Sequence, residues 1–294
     1  MVNLGDFGSN TGSSAYAVSA DGSIVVGSAS GQRNGFYWSV GGGLQELPRT
    51  QNWLTRPSAV SADGSFVTGS MSNLGAINSV RWSGTAGFQT INPQGTVAES
   101  GGMSADGTRI AGWMQVPSGR AAYLWSETGG FVNLGAAPGD VGQQFVDVHA
   151  MSGNGSSFVG EADDDATGLF RGYRWTETGG FEYLSPTVPS SAKATNFDGG
   201  VIVGQFLSNN TAFYWTADTG MLDLKTLLIQ NGATGLEGWR LECTGVSADG
   251  RVVTGTAFGP VQPNQQVSAF IAVVPSPATA APLLALVAIR RRRR

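Results

Sequence analysis

The chain has 294 residues, a formal net charge of −4 and only 13% charged residues, about half the usual share. One cysteine, Cys243, excludes an internal disulfide, and one histidine, His149, removes most zinc sites and Ser-His-Asp arrangements. Five of the 17 basic residues are Arg290 to Arg294, which leaves 12 basic against 21 acidic residues, or −9, for the rest; such an acidic body argues against nucleic acid as a partner.

Glycine, at 44 residues, favours short strands and turns over helices, so the expected class is all-β. The chain opens with Met1-Val-Asn-Leu4-Gly5, a phrase that returns as Val132-Asn-Leu134-Gly135 and reads as the last strand of a repeating unit. No charged start, apolar run and small-residue cleavage site opens the sequence.

Six units follow, each beginning with a hairpin signal. The turns are Asp21-Gly22, Asp63-Gly64, Asp106-Gly107, Asn154-Gly155, Asp198-Gly199 and Asp249-Gly250, pairs that tolerate the positive φ a tight turn needs. Ser19, Ser61, Ser104, Ser152 and Ser247 stand two residues before the Asp or Asn, with Asn196 in the fifth unit; this series reads as a local hydrogen-bonding cap rather than a set of nucleophiles. Five residues after each turn glycine stands another glycine, from Gly27 to Gly255, as expected where a second backbone comes close. The second half of a unit is a hairpin with fixed spacing, Trp38 to Leu47, Trp82 to Ile91, Trp125 to Leu134, Trp175 to Leu184 and Trp215 to Leu224, nine residues each. These tryptophans recur at one position and are expected in the core.

Four strands per unit at a period of about 45 residues predict a six-bladed β-propeller of four-stranded blades over residues 1–273. The sixth unit stops after Ala269-Phe270-Ile271 without its Trp and fourth strand. The N-terminal strand around Val2 to Leu4 is the expected complement, closing the ring by pairing with the last blade. Residues 274–294 form a separate tail: Pro275-Ser276-Pro277, an apolar run from Ala278 to Ile289 broken by Pro282, and the arginines. That run is short of the roughly 20 residues a free-standing membrane helix needs.

Length variation between units is confined to two connections, which in an up-and-down blade emerge on one face, the place to look for binding. The candidate ligand contacts there are Trp53 and Arg56, Trp113, Asp163 and Asp165, Arg171, and Trp239 with Arg240, an aromatic and polar set suited to a sugar or peptide surface. His149 precedes an inner-strand residue at the position where other units have Tyr16, Ser58, Gly101, Lys193 and Thr244, a position expected near the mouth of the channel. No catalytic residue, metal or cofactor is assigned. The expected function is a non-catalytic structural or binding module, with an envelope glycan hydrolase or lyase and a protein-protein scaffold as alternatives.

With Ala212-Phe213-Tyr-Trp215, Met221-Leu-Asp-Leu224 and Val132-Asn-Leu134-Gly135, the repeat resembles the bacterial HAF-type extracellular repeat. That resemblance implies an exported, propeller-like protein with no assigned catalytic residues; extracellular polysaccharide or another surface protein is the expected partner. The end of the chain, with its Pro275-Ser276-Pro277 motif, apolar segment and terminal arginines, resembles a PEP-CTERM sorting tail. It implies transient membrane contact through the tail, with the arginines cytoplasmic. An exosortase-type sorting enzyme would then cut near Pro275–Pro277 and deliver the propeller to the cell surface or matrix.

Overall fold

The structure is a computed structural model; it describes residues 4–5, 7, 12–29, 35–48, 53–139, 145–165, 167–260, 266–274 and 287–290. Six four-stranded antiparallel sheets, strand order following chain order in each, make it an all-β protein of the β-propeller class. Blade one is β1 (Ser13–Val18), β2 (Ile24–Ala29), β3 (Gly35–Ser39) and β4 (Gly43–Glu46). Blade two is β5 (Leu54–Val60), β6 (Phe66–Asn73), β7 (Ala76–Ser83) and β8 (Gly87–Thr90). Blade three is β9 (Ala98–Met103), β10 (Arg109–Val116), β11 (Gly119–Ser126) and β12 (Gly130–Gly135). Blade four is β13 (Val146–Met151), β14 (Ser157–Asp164), β15 (Leu169–Thr176) and β16 (Gly180–Tyr183). Blade five is β17 (Ser190–Thr195), β18 (Val201–Phe206), β19 (Thr211–Thr216) and β20 (Gly220–Asp223). Blade six is β21 (Arg240–Val246), β22 (Val252–Phe258), β23 (Val267–Val273) and β24 (Val287–Arg290).

Contacts divide the chain into two compact units, residues 1–136 with 142–155, and residues 137–141 with 156–294. Within each, the Asp-Gly turn does two things. It is locked by its own side chains: Ser61 Oγ donates to Asp63 Oδ1 at 2.6 Å, Ser65 N–H donates to the same oxygen at 3.0 Å, and Phe66 N–H donates to Ser61 Oγ at 2.9 Å. The capping reading of the serine series therefore holds. The turn also reaches the next blade, since in the first unit Ala20, Ala62 and Ala105 N–H donate to the carbonyls of Ala62, Ala105 and Gly153 at 2.7–2.9 Å. In the second unit Phe197 N–H donates to Ala248 O at 3.1 Å.

The turn glycine is required at that junction. Gly107 has φ +73°, and a Cβ there would lie 2.5 Å from Phe66 Cδ2 of the preceding blade. The repeated tryptophans pack in the same way: Tyr37 of β3 tilts against Trp82 at 5.8 Å, Arg81 of β7 lies 4.8 Å from the Trp125 ring, and Arg174 of β15 lies 5.0 Å from Trp215. Trp125, Trp175 and Trp215 are buried, and Trp38 and Trp82 half-buried, consistent with a packing role.

Two elements differ from the sequence expectation. Leu224–Gln230 is a helix, α1, in the second unit; the Asp223 carboxylate caps it by accepting from Thr226 N–H, and Leu224 and Leu228 are buried one turn apart. The other is the closing strand. The fourth position of blade six is held by β24 from the tail, with Ala269 to Ala272 of β23 paired antiparallel to Arg290 to Val287, whereas the sequence places Val2 to Leu4 there. Any strand-forming segment can satisfy the open N–H and C=O groups of the β23 edge, and Val287-Ala-Ile289 in the apolar run has the composition to do so. Residues 1–3 lie outside the described residues. Among the described residues no helix is long and apolar enough to cross a membrane.

Candidate functional site

In blades one, two, three, five and six the first strand does not pair regularly with the second. The register of β1 on β2 shifts between Ala15 and Ala17, that of β5 on β6 between Pro57 and Ala59, and that of β9 on β10 where Gly102 and Ser100 face Ala111 and Gly112. The second unit repeats the irregularity between Ala192 and Ala194 and between Cys243 and Gly245. The extra residues of these bulges are Tyr16, Ser58, Gly101, Lys193 and Thr244, members of the series that His149 continues in the sequence. A bulge turns a side chain out of the pleat. It also forces the strand glycine, because the first strand's carbonyl is pushed toward the second: a Cβ at Gly27, Gly69 or Gly112 would fall 2.0–2.2 Å from the carbonyl oxygen of Ser14, Arg56 or Glu99.

In the first unit this irregularity builds a cavity of about 390 Å³. Its wall comes from four first strands: Tyr16 of β1, Arg56 to Ser58 of β5, Glu99 to Gly101 of β9 and Asp147 to His149 of β13, joined by Trp113 of β10 and Arg120 of β11. A second cavity of about 370 Å³ shares Tyr16, Arg56 and Glu99 and adds Ser28, Leu54, Thr55, Ser70, Ser72 and Ile77. The floor beneath Glu99 is fixed. Ser100 Oγ donates to Gly69 O at 3.0 Å and accepts from Thr68 Oγ1 at 3.0 Å, and the hydroxyls of Ser79 and Tyr123 join the same buried group.

The cavity carries two cations and two carboxylates. The Arg120 guanidinium carbon lies over the Trp113 ring, 3.9 Å from its centroid, and 5.1 Å from that of Phe145. Arg56 is exposed. Among the described residues neither guanidinium makes a direct ion pair. Burial raises the Glu99 carboxyl above the ordinary range; the Arg56 charge opposes the rise, Asp147 adds to it, and Arg120 and a hydrogen bond from Ser70 oppose it. Asp147 and His149 are half-buried and engaged.

Of the residues singled out in the sequence, Arg56 and Trp113 meet in this cavity; Trp113 is 6% exposed, so its ring is a wall and not an open stacking platform. Trp53, half-buried, lies outside both linings. In the second unit Asp163 is half-buried on β14, where its carbonyl accepts from Tyr183 Oη at 2.9 Å, and Asp165 is exposed. Arg171 is buried: it pairs with Asp164, donates Nη1 to Pro186 O at 2.7 Å and lies 3.8 Å from the Tyr183 ring. Trp239 packs against the core of blades five and six. Arg240 donates to Asn210 O at 2.8 Å, pairs with Glu242 and lies 4.2 Å from the Phe258 ring. Pro275, Ser276 and Pro277 lie outside the described residues. Glu99 and Arg120 were missed because both sit within strands that read as scaffold; the signal for Glu99 was the bulge two residues on, at Gly101, while Arg120 on the regularly paired β11 carried none.

No family model matches the chain, and no curated protein matches it. Solved structures do. TolB from Acinetobacter baumannii superposes with a TM-score of 0.54 at 14% identity, over 72% of this chain and 54% of that one. A TolB-like protein of Agrobacterium tumefaciens gives 0.55 at 14% identity, over 74% and 81%. A puromycin hydrolase gives 0.56 at 14% identity, over 87% of this chain and 43% of the hydrolase. The chain thus spans about half the length of the first of these and less than half of the last. At such identities the likeness is one of fold, and a single propeller scaffold carries unrelated activities.

Proposed function

We propose that the protein is an exported bacterial surface or matrix module that binds a polysaccharide in the cavity of β1, β5, β9 and β13. One observation carries this reading: positions that are constant between repeats build turns and packing, whereas the position that is bulged at Tyr16, Ser58 and Gly101, and that His149 continues in the sequence, varies and lines one cavity. Its volume is that of a ligand pocket. Arg56, Glu99, Asp147 and Tyr16 supply the convergent polar groups that orient a hydroxyl-rich chain. A glycan array probed with wild type and with Arg56→Gln tests it. Binding that the substitution weakens is expected; equal binding by both proteins would refute the assignment to this cavity.

A second reading, an envelope glycan hydrolase or lyase, is favoured by the presence of Glu99 and Asp147 in one lining with the Glu99 carboxyl held toward its neutral form. Release of new reducing ends from any array hit, abolished in Glu99→Gln, would establish it. The tail reading adds an exosortase-type partner, cleavage near Pro275–Pro277 and transient membrane contact. Cell fractionation with and without residues 274–294 tests it, and unchanged fractionation would count against it.

A further inference from the structure

We infer that the cavity takes an acidic saccharide of the uronic-acid class, its carboxylate on Arg56 and its chain running from the Arg120 side into the second cavity over Thr55. This rests on the saccharide reading above and adds the charge, the anchor and the direction. Three observations carry it.

The first is charge. In a protein with net charge −4, two guanidiniums that form no direct ion pair among the described residues share this lining with Glu99 and Asp147, and burial holds the Glu99 carboxyl toward its neutral form. A guanidinium presents a planar fork that a carboxylate meets with two parallel hydrogen bonds. Arg120 already lies against the Trp113 and Phe145 rings, which leaves Arg56 as the exposed fork shared by the two cavities.

The second is an unsatisfied donor. Thr55 is 2% exposed, its Oγ1 has no hydrogen-bond partner, and it lines the second cavity. A buried hydroxyl without a partner costs free energy, and a ligand hydroxyl seated there would remove that cost. The third is the company it keeps: Ser28, Ser70 and Ser72 share that lining, and Tyr16 Oη and Ser28 Oγ hold one another at 2.6 Å on its rim. Hydroxyls on one side of a cation suit a polyhydroxy acid better than a plain anion.

The test uses the full chain in calorimetric titrations with uronic-acid oligosaccharides of two to six sugars, their carboxyl-reduced neutral counterparts, and citrate. The acidic oligosaccharides are expected to bind at least tenfold more tightly than the reduced ones, and more weakly as salt rises. Arg56→Gln should erase that preference without changing the thermal melt. Thr55→Val should weaken acidic and reduced oligomers alike, by a fewfold. Equal binding of acidic and reduced oligomers would overturn the acidic inference and leave the saccharide reading standing. Citrate binding as tightly as the oligosaccharides would overturn the polyhydroxy part. Binding of none of these would overturn the inference, with the neutral glycans of the array deciding the broader reading separately.

Discussion

Replacing Arg171 by Ala tests whether a charged residue between strands binds a ligand or holds the fold. The side chains of Arg171 and Asp164 are 9% and 4% exposed. The substitution leaves the Asp164 carboxylate buried with Thr167 Oγ1, 2.8 Å away, as a remaining donor. It also removes the donor to Pro186 O and the contact with the Tyr183 ring. Removing one partner of a buried pair costs about 3–5 kcal/mol, because the other charge stays behind. For a unit of this size that is a fall in melting temperature of about 10 °C. The double variant Arg171→Met, Asp164→Leu should recover most of it, since apolar replacement of a buried pair is close to neutral. Thermal and urea melts followed by tryptophan fluorescence give the comparison. A loss below about 1 kcal/mol in Arg171→Ala, the level of a surface pair, together with lost glycan binding, would refute the structural role and return Arg171 to the ligand contacts.

Gly107→Ala is expected to cost more than Gly130→Ala in the same melts. Both glycines have φ near +70°, but only at Gly107 would the Cβ strike a neighbour, Phe66 at 2.5 Å, while at Gly130 the space is open; the backbone contribution alone is about 1–2 kcal/mol. Hydrogen bonds from Ser23 N–H and Ser19 Oγ lower Asp21 to about 2, and the matching bonds from Ser61 and Ser65 lower Asp63 to about 2. A depressed carboxyl stabilises the fold above its unfolded value and loses that contribution as pH falls through the folded one. Melting temperature should therefore drop between about pH 4 and pH 2, and Asp63→Asn should flatten that part of the profile. Truncation after Val274 removes β24 and re-exposes the β23 edge; a fall of a few degrees is expected, and an unchanged melt would mean that another segment, residues 1–6 foremost, takes the edge.

The fold was legible because each blade must solve the same problem with the same residues. Asp63-Gly64, Gly69 and Trp82 recur in register since the turn, the bulge and the interblade contact each admit few side chains. Three features escaped that logic. Helix α1 carries an ordinary signal, an Asp223 cap and Leu224 and Leu228 one turn apart, hidden because Leu224 also ends the fifth repeat. Asp163 and Asp165 stand among the candidate ligand contacts of a variable connection, yet β14 continues through Asp164, and the two-residue period of a strand turns that side chain inward to Arg171 while Asp165 stays exposed. The closing strand was ambiguous, because Met1 to Leu4 matches the repeat while the tail offers an equally strand-like segment.

The candidate site shows why a repeat hides its own binding residues. Sequence comparison between units favours long connections, since variation is easiest to see as length. At Tyr16, Ser58, Gly101 and His149 the variation is in identity at constant length, one residue before a conserved small residue, and so looks like noise in a strand. The constancy of Gly27, Gly69 and Gly112 was the missing link. A glycine opposite an incoming carbonyl, with Cβ room of only 2.0–2.2 Å, implies that the first strand bulges toward it. A bulged residue is freed from the pleat, and its side chain can be chosen for what it meets outside the sheet. Invariant glycines on the second strand thus mark where the first strand is free to vary, and that inference leads from Gly69 and Gly112 to Arg56 and Glu99, whose carbonyls crowd them and whose side chains line the cavity.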